Sequence, residues 1–221
     1  MQATRLSDET PVRGAKRVPV QTRALRTQAA LLAAVEEIVA EQSAEAVTTT
    51  SVAERTGVAV GSLYRYFRDR DALLLAAYDA TVERIAQASV ERLAELGAET
   101  DVEEAARLLL HVYLDEAEAI PAHKGLLRAM RSIRTTEEEQ DPANVTIIGE
   151  RIAPFLKRFA PETRLDPARL HFMNVLIGNL VDLYLVTPGT SEERAARREE
   201  IEAHMLLALR RAIRPHGPES E

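Results

Sequence analysis

The chain has 221 residues, of which 46% are hydrophobic and 29% charged, the composition of a folded globular protein with enough length to bury a core. It contains no cysteine, which excludes disulfides, thiolate nucleophiles and cysteine-ligated zinc. The formal net charge of −7 is unevenly spread: residues 1–70 hold 10 Lys+Arg against 8 Asp+Glu, and the remainder 18 against 27.

Five basic residues (Arg13, Lys16, Arg17, Arg23 and Arg26) lie between Pro11 and Val35 with no acidic neighbour. Such a stretch attracts phosphate, while the acidic remainder stays away from it. No apolar leader follows the first basic residues, and no window reaches about 18 uninterrupted apolar residues, so a cytoplasmic protein is expected. Residues 1–20 read as a basic, disordered arm.

Helical periodicity then runs along almost the whole chain, with no alternating strand pattern. A first helix is predicted over 22–42, with Leu25, Ala29, Leu32, Val35 and Val39 on one stripe. Two short helices, 49–56 and 60–66, are separated at Gly57. A longer helix starts near Asp69, which can cap its first turn, and carries Leu74, Tyr78, Val82, Ile85, Ser89 and Leu93 on one face. Further helices are expected near 101–119, 122–134, 143–160, 167–187 and 191–213, punctuated by Gly97, Pro121, the polar run 135–142, Pro161 with Pro167, and Pro188-Gly189. Pro154 should kink or divide the 143–160 segment. The fold class is therefore all-α: a three-helix head at 21–70, a larger helical body at 71–214 and a frayed tail at 215–221.

Residues 48–73 read TTTSVAERTGVAVGSLYRYFRDRDAL. Two short helices joined by a tight turn with Gly at the exit form a helix-turn-helix. Val52 and Ala53 supply the inner face, Val58 plugs the gap, and Leu63 and Phe67 anchor the second helix. Small residues at 59–62 allow a close approach to a major groove, and Ser62, Tyr64, Arg65 and Tyr66 can hydrogen-bond bases or phosphates.

At these residues the sequence resembles the TetR family of bacterial regulators. The resemblance rests on Thr48, the step Ala53…Gly57-Val58, the run Leu63-Tyr64-Arg65-Tyr66-Phe67, and Arg70 and Leu73, and it covers about residues 22–75. It implies that Thr48, Thr49 and Thr50 meet phosphates, that Val60, Gly61, Ser62, Tyr64 and Arg65 form the recognition surface, and that Arg70 pairs with a phosphate. Val60 stands where the family commonly has a polar residue, so an apolar contact, such as a thymine methyl, is expected there.

A single short recognition helix reads few base pairs, each worth about 1–3 kcal/mol, so two heads roughly 34 Å apart on a palindromic operator are expected. The segment 170–186 is apolar nearly all round and must be covered on two sides. With the last helix it gives a candidate homodimer interface of Val175, Gly178, Asp182, Met205 and Leu209. The resemblance also implies a body that binds a small-molecule effector. Candidate lining residues are Met130, Arg131, Phe155, Phe172 and Asn179. Neither a catalytic residue, a metal nor a cofactor is assigned, because the five histidines have no metal-binding spacing and there is no phosphate-binding Gly-rich loop. The expected function is a DNA-binding repressor released by its effector. The alternatives are an effector-independent regulator or activator of the same fold and, more remotely, an enzyme.

Overall fold

The computed structural model describes residues 20–97, 99–134, 149–163 and 167–213. The arm before residue 20, the polar run 135–142 and the frayed tail lie outside the described residues. Among the described residues there is no strand, and nine α-helices follow one another: α1 (Val20–Glu41), α2 (Thr49–Thr56), α3 (Val60–Leu63), α4 (Arg70–Ala94), α5 (Val102–Ala119), α6 (His123–Ile133), α7 (Gly149–Phe159), α8 (Pro167–Val186) and α9 (Ser191–Ala212), with a 3-10 turn at Ala44–Ala46 between α1 and α2.

Local chemistry sets most of these boundaries. Asp69 caps α4 by accepting the Ala72 N–H at 2.8 Å, and this hydrogen bond holds its carboxyl below the usual range. Asp101 caps α5 through the Glu103 N–H. Thr190 and Glu193 close a reciprocal capping box at α9. Pro154 lies inside α7 without ending it. It is the sixth of eleven residues, past the four amides that lack intrahelical acceptors, so its ring costs the helix one internal hydrogen bond while the helix continues.

The core is continuous from the head into the body. Leu31, Val35 and Ile38 of α1, Val52 of α2, and Leu63 with Phe67 pack with Leu73, Leu74, Tyr78 and Ile85 of α4. The same cluster takes in Leu114 of α5, Leu126 and Leu127 of α6, and Val181 with Leu185 of α8. The first turns of α1 project beyond it: Leu25, predicted on the inner stripe, is 61% exposed, and the buried face is formed by Leu31, Ala34, Val35, Ile38 and Val39. A smaller cluster of Val102, Ala106, Leu156 and Leu209, joined by Phe155 and Phe159, holds α7 against α5, α8 and α9.

A histidine packs inside the main core. His123, at the start of α6, is buried, stacks on Tyr78 at 5.7 Å between ring centroids, and meets the Thr81 hydroxyl through Nδ1 at 2.8 Å. Thr81 donates its single hydrogen to the Tyr78 carbonyl at 2.7 Å, so it accepts Nδ1–H. Nε2 is then an unprotonated nitrogen with no hydrogen-bond partner. Burial, reinforced by the nearby Arg84 charge, pushes the His123 pKa down from 6.5 to about 4.

The unfolded chain binds this proton below its ordinary pKa, whereas the folded chain refuses it down to about 4. Stability should therefore be fully present above pH 6.5 and decline as the pH falls toward 4, by roughly 3 kcal/mol. Urea unfolding across that window should show His123→Gln losing this share of the pH dependence. An identical pH profile in the variant would show that His123 titrates normally.

Candidate nucleic-acid interface

The residues before the first short helix decide its position. The Thr48 hydroxyl accepts the Ser51 N–H at 2.9 Å, and the Ser51 hydroxyl oxygen accepts the Thr48 N–H at 2.9 Å. This reciprocal cap fixes the start of α2. Val52 and Ala53 are buried beneath it. At its end Gly57 adopts φ +69°, a left-handed conformation that a side chain would strain. The chain turns, Val58 packs partly buried against the core, and α3 begins. Leu63 is fully buried, Phe67 nearly so, and together they pin the second helix.

Pinned in this way, α3 turns a different set of side chains outward. Val60 is 38% and Tyr64 51% exposed, and Gly61 and Arg65 are also exposed. A Cβ built on Gly61 would meet nothing within 4 Å, so no packing inside the chain requires a glycine there. Ser62 is half-buried, and Tyr66 packs its ring against the core. The Tyr64 hydroxyl stands 3.5 Å from the Thr49 hydroxyl. It thus joins the start of α2, where Thr48 and Thr50 are exposed, to the end of α3. Free backbone amides, threonine hydroxyls and a phenol gathered at a helix N-terminus suit a phosphate, and the small face at 59–61 suits close approach to base edges.

Charge is sorted to match. On the far side of α2, Arg55 pairs with Glu41 at 2.7 Å and Glu37 at 3.5 Å, and on α1 Glu36 pairs with Arg84 at 2.6 Å. Arg65 has no ion-pair partner among the described residues. Arg70, expected to reach a phosphate, is engaged within the chain. It donates from Nε to the Val47 carbonyl and from Nη2 to the Ala44 carbonyl, each at 2.8 Å, with Asp71 at 3.3 Å from Nη1. The Ala44 carbonyl also accepts the Val47 N–H at 3.2 Å, and the guanidinium fork spans it and the Val47 carbonyl at the end of the 3-10 turn.

The other sequence-assigned residues separate into groups. Arg131 meets Asp182 at 2.5 Å and Asn179 at 3.1 Å, bridging α6 to α8. Met130 is buried in the main core, Phe155 joins the second cluster, and Phe172 is 68% exposed. These five therefore do not form one pocket. Of the interface candidates, Gly178 is exposed and Val175 half-buried, while Met205 packs against both clusters. Leu209 is enclosed in the second cluster, because α9 turns that residue toward α5 and α7. The exposed apolar residues of α8 and α9 are Phe172, Leu176, Leu183 and Leu207.

Two features escaped the sequence reading. His123 precedes Leu126, Leu127 and Met130 by three, four and seven positions, a spacing that signals burial. A polar network joins α5, α8 and α9: Tyr184 donates to Glu118 at 2.5 Å, Arg198 contacts Tyr184 at 2.8 Å and Asp115 at 2.6 Å, and Arg194 pairs with Glu118. Burial alone would raise the Glu118 carboxyl; hydrogen bonds from Tyr184, Arg198 and Arg194 more than offset it and leave the pKa below normal. No local motif announces a network built from three helices.

Residues 31–77 match the model of the bacterial regulatory proteins of the tetR family. The HTH-type transcriptional regulator EthR of Mycobacterium tuberculosis is 29% identical over 110 residues, which span 50% of this chain and 49% of that protein. The chain thus matches only about half the length of that curated relative. Among solved structures, a TetR transcriptional regulator from Rhodococcus sp. RHA1 superposes with a TM-score of 0.60 at 17% identity, covering 86% of this chain and 97% of that one. RolR, crystallised with resorcinol, gives a TM-score of 0.60 at 19% identity, covering 90% and 100%. At these identities the structural likeness speaks for the fold, and the head supplies the family-specific residues. Residues 31–77 thus match the N-terminal domain of the bacterial regulatory proteins of the tetR family, and the chain as a whole shares the fold of TetR-family structures.

Proposed function

We propose that this regulator works in the cytoplasm as a homodimeric repressor that reads a palindromic operator and is released by a small molecule. The observation that carries the DNA-reading half is the outward face of α2 and α3. There the Thr49–Tyr64 pair, Arg65 and the unobstructed Gly61 lie over a recognition helix fixed by Leu63 and Phe67. In this reading Thr48, Thr49, Thr50 and Tyr64 hold phosphates, Val60 meets a thymine methyl, and Ser62 and Arg65 read base edges. Tyr66 is assigned a lesser part, since its ring packs against the core.

The dimer reading rests on α8 and α9. Phe172, Leu183 and Leu207 are 68%, 61% and 49% exposed, and covering each large apolar side chain is worth about 1.5–3 kcal/mol. Gly178 lies on α8 with open space around its Cβ position, which permits close helix approach. Support for a small-molecule effector comes from the body's layered helices and from RolR, a structural neighbour that holds resorcinol.

Operator duplexes selected from a random DNA pool provide the test. Tyr64→Ala and Arg65→Ala should each weaken binding about 10–100-fold while leaving the oligomeric state and melting temperature unchanged. Gly61→Val should likewise keep its fold and lose affinity, because its side chain points into open space in the free protein. Wild-type affinity in all three variants would remove this face from DNA recognition. Sedimentation of Leu183→Glu should show monomers at concentrations where the wild type is dimeric, and an unchanged dimer would move the interface elsewhere.

A further inference from the structure

The α5–α6 corner holds a hollow of about 250 Å³, lined by Ala117, Ile120, Leu185, Glu118, Lys124 and Arg194 among others. Its apolar wall comes from α5, the corner and α8, and its charged rim from α6 and α9. The charges are unbalanced. Glu118 is already bound by Tyr184, Arg194 and Arg198. Lys124 is half-buried and has no carboxylate partner among the described residues. Burial, then the Arg128 and Arg194 charges, lower its pKa. The first turn of α6 has no side-chain cap, so its positive end adds to the same field.

A second observation links this corner to the DNA-binding head. The three residues that open α6 each touch a different part of the molecule. Lys124 lines the hollow, and His123, which also lines it, reaches back to Thr81 and Tyr78 on α4. Gly125 lies so close to α1 that a Cβ there would be 2.6 Å from Cγ1 of Val39. The first turn of α6 therefore rests directly on α1 and α4, the two helices that frame the head.

We propose that this corner is a recognition site for a compact organic acid, with Lys124 and Arg194 holding its carboxylate, and that occupancy is passed to the head through the first turn of α6. The hollow has room for the size class: a dry cavity of about 150 Å³ holds a benzene ring, and the hollow's 250 Å³ leaves space for a carboxylate beside it. The carboxylate supplies the negative charge that Lys124 lacks, and Ile120, Leu185 and Ala117 cover the apolar part. The binding half stands on the hollow itself, whereas the regulatory half rests on the DNA-reading function proposed above.

The full-length protein is tested in two measurements, with benzoate, its neutral isostere benzamide, and inorganic phosphate as probes. In thermal unfolding without DNA, millimolar benzoate should raise the melting temperature, benzamide and phosphate should not, and Lys124→Gln and Arg194→Gln should each abolish the shift. In operator titrations, benzoate should weaken wild-type affinity by about 5–150-fold, and Lys124→Gln should bind operator normally yet ignore benzoate. Absence of any benzoate shift, an equal benzamide shift, or an undiminished shift in both variants would overturn the acid site. A response to phosphate alone would overturn the organic-acid assignment. Benzoate binding with unchanged operator affinity would overturn the coupling through α6. A protein that binds benzoate as described but no DNA would refute the DNA-reading function and leave the acid site standing.

Discussion

A head of about 50 residues buries so little apolar surface that holding a four-residue helix in place by itself is marginal. Here the recognition helix α3 is held by a core that the head does not own. Leu63 and Phe67 rest on α1 and α4, and the cluster that encloses them continues into α5, α6 and α8. Arg70 completes the attachment by tying the first turn of α4 to the Ala44 and Val47 carbonyls. The position of the reading face is thus a property of the whole body. A shared core of this kind would carry a change among body helices to the head through contiguous packing, with no dedicated pathway.

The electrostatics follow the same division. A net charge of −7 is unsuited to nucleic acid, yet the acidic residues of α1 are drawn into pairs with Arg55 and Arg84. Pairs at such exposure add little to stability. Their consequence is to the field: Arg84 pairs with Glu36 and Arg55 is shared by Glu37 and Glu41, while Arg65 stays outside any intramolecular pair among the described residues. Arg23 and Arg26 are exposed at the start of α1, extending the basic side of the head. Counterion release from a phosphate backbone depends on this local arrangement, not on the sum over the chain.

Where a boundary is set by local chemistry, the sequence was legible. Thr48, Gly57, Asp69, Asp101 and Thr190 all lie at helix ends, and five of the predicted helices agree with the structure to within one residue at both ends. The second short helix was read too long because its last turn tightens. Beyond Leu63, Arg65 and Tyr66 donate to the Ser62 and Leu63 carbonyls three residues back, a 3-10 pattern that periodicity does not distinguish from α. Arg70, expected at a phosphate from its position in the motif, donates within the chain to carbonyls 23 and 26 residues earlier, acceptors that the motif does not announce. In the body the difficulty is different. An α8 that is apolar on nearly every side carries no signal for which face is internal, so its pattern does not distinguish the exposed Leu183 from the buried Val181 and Leu185.

That lack of polarity in α8 also has a physical use. An amphipathic helix declares one buried side, whereas α8 presents Val181, Tyr184 and Leu185 inward while Phe172, Leu176 and Leu183 remain outward. The inward face is tied to α6 by Arg131 and Asp182 and to α5 and α9 through Tyr184. A partner laid on the outward face would therefore clasp the helix that already fixes α6 and the α5–α6 corner. Under that arrangement the geometry of two heads on DNA and the packing of one body cease to be independent. A displacement of α6 against α1 in one subunit would alter the spacing on which both heads rely.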